Sequence, residues 1–344
     1  MDVECSFCHA LHWDGEKLSK PTRKKTLFGM CCLQGKIKLP PLSPLPPSIQ
    51  SLYEGSDKNS KSFSNNIRAY NASNAFTSLG VKMDDRILNG RGPKAFTIHG
   101  ELCHNVGSLI PEIRKVPSYA QLYIYDSNSA TDYRNKRNPQ LLENNKLCKV
   151  YKHAYEVLKE SNTDEDANIS VWLHYKPDTD KKRYNLPTSE DIAVIMPGDG
   201  TEIASKRDIV LHLRGNKLKR ISDCHPSYLP LHYVLLFPNG DLGWSTSYLQ
   251  WDVKRNCHLT KRLTQLESFR YRIFERSTEY SSIIRGGSLF QEFLVDAWAA
   301  YEQNRLSYTR NHQDDLRAEV YSGLTVEYGL TDIVDNGNDP KKIG

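Results

Sequence analysis

The sequence predicts an α+β protein, and three observations carry that reading. Four of its eight cysteines, Cys5, Cys8, Cys31 and Cys32, stand in two tight pairs within the first 32 residues. The middle of the chain holds short runs rich in Tyr, Ile and Leu between Gly and Pro breakers, which is the pattern of strands. Beyond Gly287, apolar residues recur at steps of four, which is the pattern of a helix. No internal repeat is present. Helix and strand signals do not alternate regularly enough for a doubly wound sheet.

Taken in order, residues 1–39 read as a Cys-rich basic module and 40–62 as a Pro/Ser-rich linker. "PPLSPLPPSIQ" (40–50) carries five prolines and is expected to be an extended spacer, because proline fixes φ and removes a donor. Residues 63–265 read as a mixed, strand-rich α+β region. In it "AFTIHGELCHNVGSLIP", "YAQLYIYD", "ISVWLHY" (169–175), "RDIVLHLR" (207–214) and "HYVLLFPNGDLGW" (232–244) are the strand-like stretches. Residues 126–139 read as a basic-polar loop. Leu147, Tyr151, Ala154, Tyr155 and Leu158 lie at helical spacing. Residues 266–328 read as helical: Leu289/Phe290, Phe293/Leu294, Ala297/Trp298 and Tyr301 follow Gly286-Gly287, with Ser288 as the expected N-cap. Residues 329–344 are polar and turn-rich, the composition of a frayed tail.

At 344 residues the chain has room for two or three domains, at ~150 residues each. The net charge of +5 excludes a global polycation, so any nucleic-acid surface must be a local patch. No apolar run approaches the ~18 residues of a membrane span. The N-terminus has no signal-peptide pattern, so the chain reads as intracellular, where paired cysteines bind metal in preference to forming disulfides.

The sharpest signal is the cysteine pair at the start. A C-x2-C turn lets two thiolates reach one zinc ion, and a second element must supply the rest. Cys5 and Cys8 form the first pair, and 22 residues separate Cys8 from the adjacent Cys31 and Cys32. In extended backbone, neighbouring side chains point apart. One of Cys31 and Cys32, together with His9, His12 or a distant residue, therefore stands level with an all-cysteine set. Four reduced thiols in a frayed terminus is the plain alternative. Lys17, Lys20, Arg23, Lys24, Lys25, Lys36 and Lys38 surround the knuckle, against Asp14 and Glu16. Such clustering suits phosphate neutralisation, although a solvated loop has the same composition. "KPTRKK" also passes for a nuclear-import patch.

Other candidates are weaker. Cys224, His225 and His232 in "CHPSYLPLHY" fit no common zinc spacing and read as a packed turn. His99 and His104 read as structural histidines bonded to backbone. "PGDGTEIASK" (197–206) lacks the glycine spacing and Lys-[Ser/Thr] order of a phosphate loop. There is no Gly-x-Ser-x-Gly elbow, no His-Glu-x-x-His and no His-apolar-His strand, so no catalytic residue is assigned. Asp208, His225 and Asp241 are the first suspects for a nuclease centre assembled from scattered groups.

Seven blocks in order, from "CSFCHALHW" and "GMCCLQGKIKLPPL" through "NIRAYNASNAFTSLG", "FTIHGELCHNVGSLIP", "YAQLYIYD" and "LKRISDCHPSYLPLHYVLLFPNGDLGW" to "GGSLFQEFLVDAWAAYEQNRLSYTRNHQDDLRAEVYSGL", resemble the N-terminal part of Helitron-type rolling-circle transposases. The last block resembles the start of the Helitron helicase-like domain. The resemblance implies binding to transposon DNA, single-stranded and duplex, and a zinc-finger-like motif built from Cys5, Cys8 and Cys31 or Cys32. In the family, the positions of His9, Cys224 and His232 take other residue types. Complete members continue into a nuclease with two metal-binding histidines and catalytic tyrosines, and then an ATP-driven helicase. This chain reads as stopping before both, as a truncated copy or one exon of a larger gene. The expected function is thus a non-catalytic DNA-binding scaffold in the nucleus. In it, Zn2+ folds the knuckle, lysines and arginines hold phosphates, and Trp13 and Phe28 stack on unpaired bases. A nuclease with its own site, a partner chain supplying catalysis and an inactive transposon relic are the alternatives.

Overall fold

The computed structural model describes residues 1–18, 27–80, 82–83, 98–99, 102–111, 121, 144–161, 170–174, 194–198, 209–212 and 218–313. Helices and small antiparallel sheets mix, as an α+β fold requires. Two compact units divide the chain, 1–300 and 301–344; everything below concerns the first unless the last helix is named.

Two short strands, β1 (Val3–Glu4) and β2 (Leu11–His12), pair around the first cysteine turn. Three helices follow: α1 (Pro47–Glu54), α2 (Lys58–Asn65) and α3 (Ile67–Asn74). Pro47 opens α1 at the position where a missing N–H costs nothing. The Asp57 carboxylate caps α2 by accepting from the Ser60 N–H at 2.9 Å. The expectation of an extended spacer therefore needs correction. The proline stretch is strapped to the body, because the Asp241 carboxylate accepts from both the N–H and the hydroxyl of Ser43. The Leu42 N–H donates to Glu279, and Leu42, Leu45 and Ile49 are buried. Apolar residues between the prolines give it something to bury.

Strand β3 (Ser78–Leu79) lies at one edge of a sheet ordered β10-β6-β3, with β6 (His104–Val106) central and β10 (Lys219–Arg220) opposite. Between β3 and β6 in sequence, β4 (Lys82–Met83) pairs with β5 (Ile98–His99). Helix α4 (Lys146–Ser161) is the one expected from its period. Leu147, Tyr151, Ala154 and Leu158 are all buried, and the helix lies against β7 (Ser170–His174) and β8 (Val194–Gly198). With β9 (Ile209–His212) these make a second sheet, β8-β7-β9, pairing Val171 with Pro197 and with Leu211. Of the expected strand "YAQLYIYD", all but Gln121, which is helical, lies outside the described residues.

"HYVLLFPNGDLGW" is not a strand. Helix α5 (Tyr228–His232) runs into consecutive turns, in which the Leu236 and Phe237 N–H groups both donate to the Tyr233 carbonyl and Gly240 to Phe237. A short apolar run buried on every side has no face to alternate, and so its period carries no information. Residues 228–237 form the centre of the main core. Tyr233 meets Phe293 edge-on at 5.5 Å and Phe76 packs on Tyr151 at 4.7 Å.

A hairpin, β11 (Leu249–Asp252) with β12 (Cys257–Arg262), leads into α6 (Gln265–Arg272). Helix α6 starts with a complete capping box. The Thr264 hydroxyl accepts from the Glu267 N–H, and the Glu267 carboxylate accepts from the Thr264 N–H. The last helix, α7 (Ser288–Asn311), begins one residue earlier than expected, with Gly287 in the left-handed region (φ 53°) before it. Leu289, Phe293, Ala297 and Ala300 are buried as the step of four requires; Leu294 and Trp298 are exposed.

Candidate metal centre

The Cys5-Ser6-Phe7-Cys8 turn is closed by two backbone bonds: the His9 N–H donates to the Cys5 carbonyl and the Cys5 N–H to Ala10. His9 takes up φ 58°, which turns the chain back sharply enough for both thiols to face one point. The second cysteine element is not extended but bent. Leu33, Gln34 and Gly35 all have positive φ, and the Ile37 N–H closes the loop onto the Cys32 carbonyl at 3.0 Å. A bend lets adjacent side chains converge where an extended segment would not, and both Cys31 and Cys32 therefore reach the centre.

All four sulfurs lie within 4.8 Å of one another, and all four residues are buried. Cys5 and Cys32 are 3.8 Å apart, and Cys31 and Cys32 3.9 Å. These are not disulfide distances, which are ~2.05 Å. A tetrahedron with metal–sulfur bonds of ~2.3 Å has sulfur–sulfur edges of about 3.8 Å. The donor set thus has the spacing of a four-thiolate site before any ion is considered. The Gly35 N–H points at the Cys32 sulfur at 3.2 Å, an outer hydrogen bond of the kind that steadies a ligating thiolate.

The electrostatics agree. Hydrogen bonds from Cys31, then Cys32 and Cys8, push the Cys5 thiol far below its ordinary range. Those from Cys31 and Cys32 lower Cys8 to about 7. Cys32 is pushed up, through its bonds to Cys31 and Cys5. Anions this close repel each other, so without a cation a few thiols ionise at the expense of the others. A divalent ion at the centre removes that conflict for all four.

Among the described residues, the four cysteines are the group brought close enough together to hold a metal ion. His9 is half exposed and bonds Glu4 at 2.9 Å. His12 is buried, stacked on Phe28 at 3.8 Å, with Nδ1 on Glu16. Phe28 is therefore core, not a free stacking surface, which corrects that expectation. Trp13, in contrast, is 58% exposed. Of the predicted basic residues, Lys20, Arg23, Lys24 and Lys25 lie outside the described residues. Lys17 pairs with Asp14, and Lys36 and Lys38 are exposed, in the second knuckle loop and in the segment that leaves it.

The knuckle is not a free-standing head. The Leu11 N–H donates to the Glu275 carbonyl, Ser277 to His9 and Trp251 to Lys36. Phe28, Ile37 and Leu39 share an apolar cluster with Leu263 and Tyr271, on which Trp244, Tyr248 and Phe274 also pack.

Residues 269–343 match the model of the Helitron helicase-like domain at the N-terminus. This segment is similar to the N-terminal domain of Helitron helicase-like proteins. It begins inside α6 and contains α7, and Tyr271 and Phe274, against which the cysteine knuckle packs, belong to it. No curated protein matches the chain.

The Helitron-like segment also supplies one end of a buried polar network that sequence reasoning missed. His104 on β6 bonds Asp296 on α7 through Nε2 at 2.6 Å and the Tyr228 carbonyl through Nδ1 at 3.0 Å, while its ring stacks on Tyr228. Both ring nitrogens face oxygen acceptors. Burial alone would raise Asp296; the charge and hydrogen bond of His104 outweigh that and hold it below the usual carboxylate range. The expectation that His104 is structural holds, with a carboxylate added to its backbone partner. His232 is likewise buried in the turn predicted for it, beside Thr77 and Glu292.

Of the nuclease suspects, the two that are described, His225 and Asp241, each have another partner. Asp208 lies outside the described residues. His225 accepts from the Ser227 N–H within its own turn, and Asp241 holds Ser43.

Proposed function

We propose that this chain is a DNA-binding region of a Helitron transposase-related protein, with one structural zinc ion held by Cys5, Cys8, Cys31 and Cys32. The observation that carries the reading is the set of four buried sulfurs within 4.8 Å at the edge lengths of a tetrahedral thiolate site. The Helitron match at 269–343 supports DNA as the partner. The ion has a structural role: it ties the first cysteine turn to the second loop, from whose end Lys36 and Lys38 project, so that their charge is presented on a rigid surface. The domain's work is binding; the chemistry of transposition falls to other residues or another chain.

Elemental analysis of the purified chain under reducing conditions tests the metal, with one zinc per chain expected. Cys5→Ser/Cys8→Ser is expected to lose the zinc and to weaken oligonucleotide binding at least tenfold. Binding that is zinc-independent, or unchanged from low to moderate salt, overturns the proposal.

A further inference from the structure

The hairpin β11–β12 and the segment leaving the second knuckle loop enclose a groove of about 510 Å3, lined by Lys38, Leu39, Tyr248, Leu249, Trp251 and His258, with Pro40, Pro41 and Ser247 at its margin. Three rings face it. Trp251 and His258 are cross-strand partners, their rings meeting edge-on at 4.9 Å, and the Lys38 ammonium lies over the Trp251 ring at 4.3 Å. The charge around it has one sign. Residues 35–41 and 247–262 carry Lys36, Lys38, Lys254, Arg255, Lys261 and Arg262 against Asp252 alone, and all six cations are exposed. Asp252 is itself turned inward on the hairpin, accepting from the Lys254 and Arg255 N–H groups.

We propose that this groove is a binding site for single-stranded nucleic acid, in which bases stack on Trp251, Tyr248 and His258 while Lys38, Lys36 and Arg262 neutralise the phosphates. The inference rests on the DNA-binding reading above but moves the contact from the predicted loop at 17–25 to the hairpin. The chemistry is that of sequence-tolerant single-strand binding, aromatic platforms in a cationic channel. A duplex offers its base faces to no such groove, since they are already stacked. The metal centre and the groove are one unit. The Trp251 N–H donates to the Lys36 carbonyl at 2.8 Å, four residues after Cys32, and loss of the ion would let both walls drift.

The test is fluorescence anisotropy on the full chain with a labelled mixed-sequence deoxyoligonucleotide of about a dozen nucleotides, single-stranded and as a duplex. Trp251→Ala is expected to weaken single-strand binding about tenfold and Trp251→Phe much less, with zinc content unchanged. Lys38→Gln/Arg262→Gln changes only exposed side chains and guards against misfolding of the tryptophan variant. It should lower the slope of log affinity against log salt by about 1.4. Variants that bind single strands like the parent overturn the groove but leave DNA binding standing, and equal loss on duplex overturns the single-strand assignment. A parent chain that binds no oligonucleotide overturns both proposals.

Discussion

The main core and the knuckle core solve the same problem with different material. Around Tyr151, Tyr233, Leu236 and Phe293, long side chains from α4, the turns after α5, and α7 bury one another, and the buried Asp296 carboxylate is partnered in place by His104. Around Cys5 and Cys32 the chain supplies four thiols and a few apolar residues from loops with positive φ. Area burial scales with the apolar surface a segment can offer, and tight loops offer little. The first region is held by packing and can lose a methyl group and survive. Under the zinc proposal, the second adds four coordinate bonds to the packing of Phe28, Ile37, Leu39, Leu263 and Tyr271.

That contrast can be broken most directly by removing the metal. Chelation under reducing conditions is expected to abolish amide-exchange protection at Gly35 and Ile37 while Tyr151 and Leu158 keep theirs. Comparable isolated sites bind zinc with ~10–16 kcal/mol. Protection lost together in both regions would show one cooperative core instead of two. Next in size, Asp296→Ala takes the carboxylate partner from the buried His104 and should cost ~3–5 kcal/mol by urea unfolding. His104→Leu/Asp296→Leu, which removes both partners, should cost less than that single change. A smaller effect tests the knuckle's backbone. Gly35 has φ 87°, and a Cβ there would come within 2.8 Å of Val253 and 2.9 Å of Phe7. Gly35→Ala should lower stability by ~1–3 kcal/mol and weaken zinc retention, because the N–H on Cys32 moves with it.

The smallest effect is in pH. Burial depresses His232, against a hydrogen bond with Glu292 that raises it and the nearby His104 charge that lowers it. In the unfolded chain it titrates near ~6.5. Below that pH the unfolded state binds a proton the folded state refuses, so stability falls as pH drops from about 6.5 toward the depressed value. The slope is at most ~1.4 kcal/mol per pH unit. His232→Gln should flatten this part of the melting-temperature profile, measured with zinc in excess. Asp296, held low, contributes its loss only in stronger acid.

Local physics made much of this legible in the sequence. The period of 147–158 gave α4, the C-x2-C turn gave half of the four-cysteine cluster, and the final block gave the likeness to the Helitron helicase-like domain. These signals are short-range: a helical face and a two-thiol turn are each complete within a few residues. Tertiary structure decided the rest. It bent Cys31 and Cys32 toward one point, tied the proline stretch down through Asp241 and Glu279, buried Phe28 under His12, and set Lys38 beside Trp251, more than two hundred residues away. The physical reason is that side-chain direction in a bend, and which distant surface covers a loop, depend on contacts whose free energy exists only once the whole chain has folded.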